Sequence, residues 1–227
     1  MDKTKKLIII GAGETAQIAF EYFTVDSVYE VVGFALDRQY ITHESIAGLP
    51  VIALDEVEQK FPPSEYWAFV AVSSTKLNRV RSRLYATIKS KNYRLASYIS
   101  SKAFVWRNAQ IGENCFIFED NTIQPFVKIG HNVVLWSGNH IGHNSTIQDH
   151  CFLSSHVVIS GFCHIGEYSF LGVNSTVINN INIGKDCFIG AGALIQKDVP
   201  PDSVLQESST EISKVGSLRL FKIGAGS

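Results

Sequence analysis

The sequence predicts a two-part chain: an α/β domain over residues 1–98, then an all-β coil of stacked short strands over 99–200, with an extension over 201–227. Three observations carry this. From Ile99 onward an aliphatic residue returns every sixth position. Before residue 99 that period is absent, and strand-like and helix-like runs alternate instead. A glycine-rich turn joins the first of those strands to the first helix.

The coil follows from the period. Stepping by six from Ile99 through Ile111, Ile123, Leu135, Ile147, Ile159, Leu171 and Ile183 to Ile195, all seventeen positions are aliphatic. The next residue is often glycine (Gly112, Gly130, Gly142, Gly166), and the fifth place of the hexad is usually small, as at Ala109, Cys115, Ser145 and Ser175. A helix repeats near 3.6 residues and an amphipathic strand at two, so neither produces a period of six. Three short strands arranged as a triangle do, one hexad per side, which is the hexapeptide β-helix repeat. One coil then takes about 18 residues and rises about 4.8 Å. Cys115, Cys151 and Cys187 share one hexad place at intervals of two coils, about 9.6 Å, too far apart for disulfides. With Cys163 in the same place on another side, the four thiols read as small buried apolar groups of a reducing compartment.

In the first 98 residues, Lys6 to Ile10 reads as a buried strand, Gly11 to Gly13 as a turn and Glu14 to Phe23 as a helix. Tyr29 to Leu36 and Ala68 to Val72 read as further strands, and Lys76 to Ile88 as a second helix. Alternation of this kind means a parallel sheet covered by helices. Gly11-Ala12-Gly13-Glu14-Thr15-Ala16 after a strand matches a phosphate-binding glycine fingerprint, and Asp37 ends the next strand where a ribose-binding acid belongs. Gly11, Gly13, Glu14, Asp37, Arg38, Ser73, Ser74 and Lys76 are therefore the candidate nucleotide residues. Fewer than 100 residues supply one mononucleotide-binding half, which disfavours NAD.

Composition narrows the partners. Twenty Lys and Arg against 21 Asp and Glu leave a formal charge of −1, too little field to hold a nucleic-acid backbone. The opening apolar run, Leu7 to Ile10, is far short of the roughly 20 residues of a membrane span, and it lacks a signal-peptide pattern. A cytoplasmic protein is expected. No two of the seven histidines lie five residues apart, which argues against a β-helix zinc anhydrase, and no metal is expected.

A short Rossmann-like domain opening Ile8-Ile9-Ile10-Gly11-Ala12-Gly13, followed by hexapeptide repeats with His140-Ile141-Gly142-His143 and Ser155-His156-Val157-Val158-Ile159-Ser160-Gly161, resembles the sugar acyltransferases of the sialic acid O-acetyltransferase type. Its relatives include N-acetyltransferases of nucleotide-linked amino sugars. The resemblance runs from Lys6 to about Lys222. It implies a left-handed β-helix, a homotrimer, acetyl-CoA bound between neighbouring helices, and a nucleotide-linked sugar held by the small domain. It implies a role in glycan or surface-polysaccharide synthesis, with amino-group acetylation favoured over O-acetylation.

The resemblance places the general base at His143, which would take a proton from the attacking amine or hydroxyl, work suited to imidazole. Gly161, one coil on, becomes a candidate oxyanion donor through its N–H. Lys197, three coils on and about 14 Å away, is a candidate for a CoA phosphate. His131, His150 and His164 read as turn or surface residues. The chain departs from the family in three places. Asn144, a catalytic candidate, stands where many relatives carry an acid beside the base, and its amide would orient the imidazole without supporting its charge. Phe152 replaces a second histidine nine residues on, leaving His156 as a substitute for CoA contact. The usual closing motif is absent, Val204 to Thr210 reading as a different loop. An NAD-dependent oxidoreductase and a non-catalytic trimeric scaffold are the competing functions.

Overall fold

The computed structural model describes residues 2–206 and 212–221. The N-terminal sheet grows from β1 (Lys5–Ile10), whose last four residues are fully buried because both faces are covered. Leu7 and Ile9 face helix α1 (Glu14–Val25), whereas Ile8 and Ile10 face helix α3 (Arg79–Ser90). The other strands are β2 (Tyr29–Leu36), β3 (Ser45–Ile46), β4 (Leu49–Ala53), β5 (Tyr66–Val70) and β6 (Arg94–Leu95), with a short helix α2 (Val57–Lys60) between β4 and β5. Their order is β3-β4-β2-β1-β5-β6, parallel except for the β3–β4 hairpin. The chain leaves β1 toward β2 on one side and returns to β5 on the other. A crevice therefore opens beyond the carboxyl ends of β1 and β5, at the switch point of the sheet.

Two local expectations fail here. The strand expected over Ala68–Val72 lies two residues earlier, because Ala71 begins the crossing loop. The helix expected from Lys76 begins only at Arg79: Lys76, Leu77 and Asn78 all have positive φ (52°, 48° and 64°), a left-handed turn that right-handed helix cannot continue through.

The second region is the expected left-handed β-helix. Two-residue strands pair in parallel with partners 18 positions away, Phe116–Ile117 with Val134–Leu135 and His140–Ile141 with Val158–Ile159, forming three sheets of seven, six and five strands. The aliphatics point inward as a continuous core from Ile117 to Ile195, and Ile99 at the open end is partly exposed. Every sixth residue turns a corner with positive φ: Asn114, Asp120, Phe126 and Asn132, then Asn144, His150, His156, Phe162, Tyr168 and Asn174. Glycine after the aliphatic serves rung spacing. A Cβ on Gly142 would lie 2.4 Å from the Ser160 carbonyl carbon. All four cysteines are free and buried, and burial pushes the Cys115 and Cys151 thiols up to about 12.

One face of α1 seals the sheet and the other packs on the β-helix. Phe23, Phe69, Tyr98, Phe116 and Phe118 form one apolar cluster across the seam. Beside it, Asn114 receives the Val70 N–H at 2.7 Å and donates to the Val70 carbonyl at 3.3 Å. Buried Arg81 of α3 donates to the carbonyls of Asn132 (3.0 Å) and Cys151 (3.1 Å), and desolvation brings its guanidinium down to about 10. The strand Val204–Leu205 pairs with Phe188–Ile189, so the loop expected from Val204 is a further rung. Residues 207–210 of that loop lie outside the described residues.

Candidate active site

Strand register places His143, Gly161, Asn179 and Lys197 at equivalent positions of successive rungs, each two residues past a paired aliphatic: Ile141, Ile159, Val177 and Ile195. This corner is open. His143, Asn144, Asn179 and Lys197 are exposed.

The His143 ring is held from three directions. From the rung below, Gln124 Oε1 accepts the His143 backbone N–H at 2.9 Å and lies 3.3 Å from Nδ1. From the rung above, Gly161 lies so close that an added Cβ would be 2.7 Å from Cε1 and 2.9 Å from Nε2. The Phe162 ring closes the side edge-on at 5.0 Å between centroids. An amide oxygen only accepts, so Nδ1 carries the proton and Nε2 keeps its lone pair. Gly161 is thus glycine for the space that the imidazole occupies. It does not have positive φ; the neighbouring Phe162 does, at 59°.

The other residues of this group fall differently. The Gly161 N–H is donated to Asn179 Oδ1 at 3.1 Å, so the expected oxyanion donor is occupied by an exposed side chain. The Asn144 backbone N–H goes to the Pro125 carbonyl at 3.1 Å, and its side chain makes no hydrogen bond to His143. His156 turns another corner of the triangle, beyond the opposite edge of the strand Val158–Ile159, with its ring over Gly138. Lys197 has no acidic partner among the described residues. Phe152 is buried in the domain seam and stacks on Phe170, which removes it from the open corner. Of the histidines read as surface or turn residues, His164 sits in a strand. His150 is a half-buried turn residue, and desolvation pushes its imidazole down to about 4.

Six of the eight nucleotide candidates line two cavities, and Gly11 and Ser74 line neither. Gly13, Glu14, Thr15, Ser73 and Thr75 line a cavity of about 340 Å³ together with Trp136 from the β-helix. Asp37, Arg38, Lys76 and Thr75 line a second, of about 1050 Å³, with Thr75 common to both. The amides of Gly13, Glu14 and Thr15 open the helix without an acceptor among the described residues, as first-turn amides do. Gly11 is different. Its N–H goes to the Ala35 carbonyl at 2.9 Å, and a Cβ there would lie 2.6 Å from the Ala71 oxygen, so it lets β1 and the loop after β5 approach and does not present an amide to phosphate. Glu14 suits the helix dipole but sets a like charge against a phosphate. Asp37 is ion-paired with Arg83 at 2.6 Å, and Arg38 with Asp55 and Glu56. Lys76 remains without an acidic partner among the described residues, and the Ser74 carbonyl accepts the Asn78 N–H inside the left-handed turn.

Comparison with known proteins gives the arrangement its relatives. Residues 108–141, 127–161 and 162–197 match the family described as bacterial transferase hexapeptide (six repeats). The fold is that of the acetyltransferase domain of PglB from Neisseria gonorrhoeae, at 25% identity and TM-score 0.81, covering 90% of this chain and 97% of that one. Residues 108–197 thus carry the transferase hexapeptide repeat, on the fold of an acetyltransferase domain. PerB from Caulobacter crescentus, solved with CoA and GDP-perosamine, shares the fold at 24% identity and TM-score 0.80, covering 89% and 94% of the two chains. WeeI from Acinetobacter baumannii shares it at 18% identity and TM-score 0.67, covering 88% and 96%. No curated protein matches the sequence.

Three residues of the candidate site were not singled out by the sequence: Gln124, Asn179 and Trp136. The coil arithmetic held the signal for two of them. Asn179 is His143 plus two coils, and Gln124 lies one rung below His143 with an offset of one residue. Trp136 had no comparable signal, because its place beside the glycine turn depends on how the two regions dock.

Proposed function

We propose that the protein transfers an acetyl group from acetyl-CoA to the amino group of a nucleotide-linked sugar, with His143 as general base. The observation that carries this is the held, exposed imidazole with Nε2 free, on a fold shared with a CoA- and GDP-perosamine-bound relative. The attacking amine forms a bond to the thioester carbonyl carbon while Nε2 takes its proton. The tetrahedral adduct then collapses, the carbon–sulfur bond breaks, and the proton passes from His143 to the departing CoA thiolate. No covalent enzyme intermediate is needed. For the Gly161 N–H to serve the oxyanion, the exposed Asn179 side chain has to rotate away.

The diphosphate of the acceptor is assigned to the Gly13–Thr15 amides with Lys76, and Trp136 offers a surface for the sugar. Lys197 and His156 are assigned to CoA. Homotrimer assembly is supported by the apolar side chains that the sheet of His140 leaves outward and exposed, Phe104, Val158 and Leu194. Residues 1–98 would serve the acceptor and 99–200 the transfer. Among the described residues no helix is long and apolar enough to cross a membrane, and a cytoplasmic setting, where acetyl-CoA is available, fits the reading.

The test is mass spectrometry of nucleoside diphosphate amino sugars incubated with acetyl-CoA and the full chain. A mass gain of one acetyl group, lost in His143→Ala, is expected. NAD turnover without acetylation would replace this reading by the oxidoreductase.

A further inference from the structure

From the contacts of the imidazole we infer that Gln124 is the positioning residue of the base, doing by geometry what an acidic neighbour does by charge. The inference rests on the acyl-transfer reading above. Gln124 is half-buried, and its backbone N–H donates to the Ile141 carbonyl at 3.0 Å, which locks it to the rung of His143. Its single side-chain oxygen faces two His143 donors, the backbone N–H at 2.9 Å and Nδ1 at 3.3 Å. The first fixes the turn and the second fixes the ring. Asn144, the chain neighbour, makes no contact of this kind.

The consequence is a choice of tautomer. A neutral imidazole exchanges its proton between Nδ1 and Nε2, and only the form with Nε2 bare acts as a base toward a substrate on the open side. The Gln124 oxygen holds the proton on Nδ1. The groups around the ring are Gln124 below, Gly161 above and Phe162 at the edge, and among the described residues no carboxylate or ammonium group hydrogen-bonds it. The amide therefore orients the ring without adding a charge that would stabilise the imidazolium. Gln124 has a catalytic consequence without touching substrate.

Two variants separate positioning from mere support. Gln124→Leu removes the acceptor. It is expected to lower kcat by roughly tenfold or more, leave KM for both substrates within about twofold, and mix the two tautomers in the nitrogen NMR spectrum of His143, identified by its loss in His143→Asn. Gln124→Glu keeps the acceptor and adds a charge that favours the imidazolium. It should recover most of kcat at alkaline pH while the acid limb of the rate profile moves to higher pH. Wild-type kcat in Gln124→Leu, or an unmoved profile in Gln124→Glu, would overturn the inference. Should His143→Ala retain full turnover, the acyl-transfer reading fails by itself, and the tautomer spectrum alone then decides whether Gln124 orients the ring.

Discussion

Two corners of the same β-helix place a histidine in almost the same hexad context and surround it in opposite ways. At the corner under α3, Asn114, Asn132, His150 and Tyr168 climb one per rung. Asn114 donates to Asn132 Oδ1 at 2.8 Å, Asn132 Nδ2 meets His150 Nδ1 at 2.9 Å, and His150 lies 4.8 Å from the Tyr168 ring. Tyr168 in turn carries the Arg79 guanidinium over its face at 3.5 Å and takes the Asn78 amide on its carbonyl at 3.3 Å. At the opposite corner Gln124, His143 and Gly161 also stack rung on rung, but no second domain covers them. Identical backbone repeats therefore make a glue line where the α/β domain docks and an exposed column, the proposed reactive one, where it does not. Burial decides between them, since a covered imidazole loses its water and one in the open keeps access to substrate.

The sharpest break of this comparison is the pair His143→Asn and His150→Asn. The first should lower acyl transfer by roughly 10² or more, the scale of a lost general base, with the fold intact because the residue is exposed. The second should leave turnover within about threefold, measured under the same conditions. Equal losses would erase the distinction between the corners.

Next comes stability. Asn114→Ala removes three hydrogen bonds at the covered corner and leaves the Val70 backbone groups buried without partners, a cost of about 2 kcal/mol. Thermal unfolding should show it as a lowered midpoint, with kcat unchanged at temperatures where the protein is folded. A variant of equal stability would mean that Asn114 adds nothing to the docking of the two regions.

At the open corner Gly161→Ala should do the reverse. The added Cβ, 2.7 Å from Cε1, displaces the His143 ring and should reduce kcat roughly tenfold. Stability should hardly change, because the backbone at Gly161 suits any residue. Unchanged kcat would show that the base tolerates a shifted ring.

The effect confined to the narrowest range of conditions is a pH dependence of the covered corner. His150 titrates near 4 folded against an ordinary value of 6.5. Between those values the unfolded chain binds a proton that the folded chain refuses. Its contribution to stability is therefore full above pH 6.5 and is lost progressively as pH falls toward 4. Unfolding midpoints followed across that window should fall less steeply in His150→Asn than in the parent, and parallel curves would place the titration elsewhere.

How much of this was legible beforehand differs between the two regions for a physical reason. A β-helix is a one-dimensional stack, so contact partners sit at fixed multiples of 18 and hexad place alone sorts core from corner. That period in Ile99 to Ile195 determined the rungs, the buried thiols and the column of His143, Gly161 and Lys197. In the α/β region the order of strands and the glycine turn were equally plain from Lys6 to Leu36. The left-handed turn at Lys76, Leu77 and Asn78 was not, since its residues carry ordinary helix patterning and Asn78 is held in place by the Tyr168 carbonyl 90 positions away. Tertiary structure alone decided that Gly11 spaces two chain segments, that Asp37 is committed to Arg83, that Asn179 occupies the Gly161 amide, and that Gln124 grips the His143 imidazole. Each of these is a competition for one hydrogen-bonding atom or one Cβ-sized space between groups distant in the chain, and such a competition is settled only when folding brings the rivals within about 3 Å.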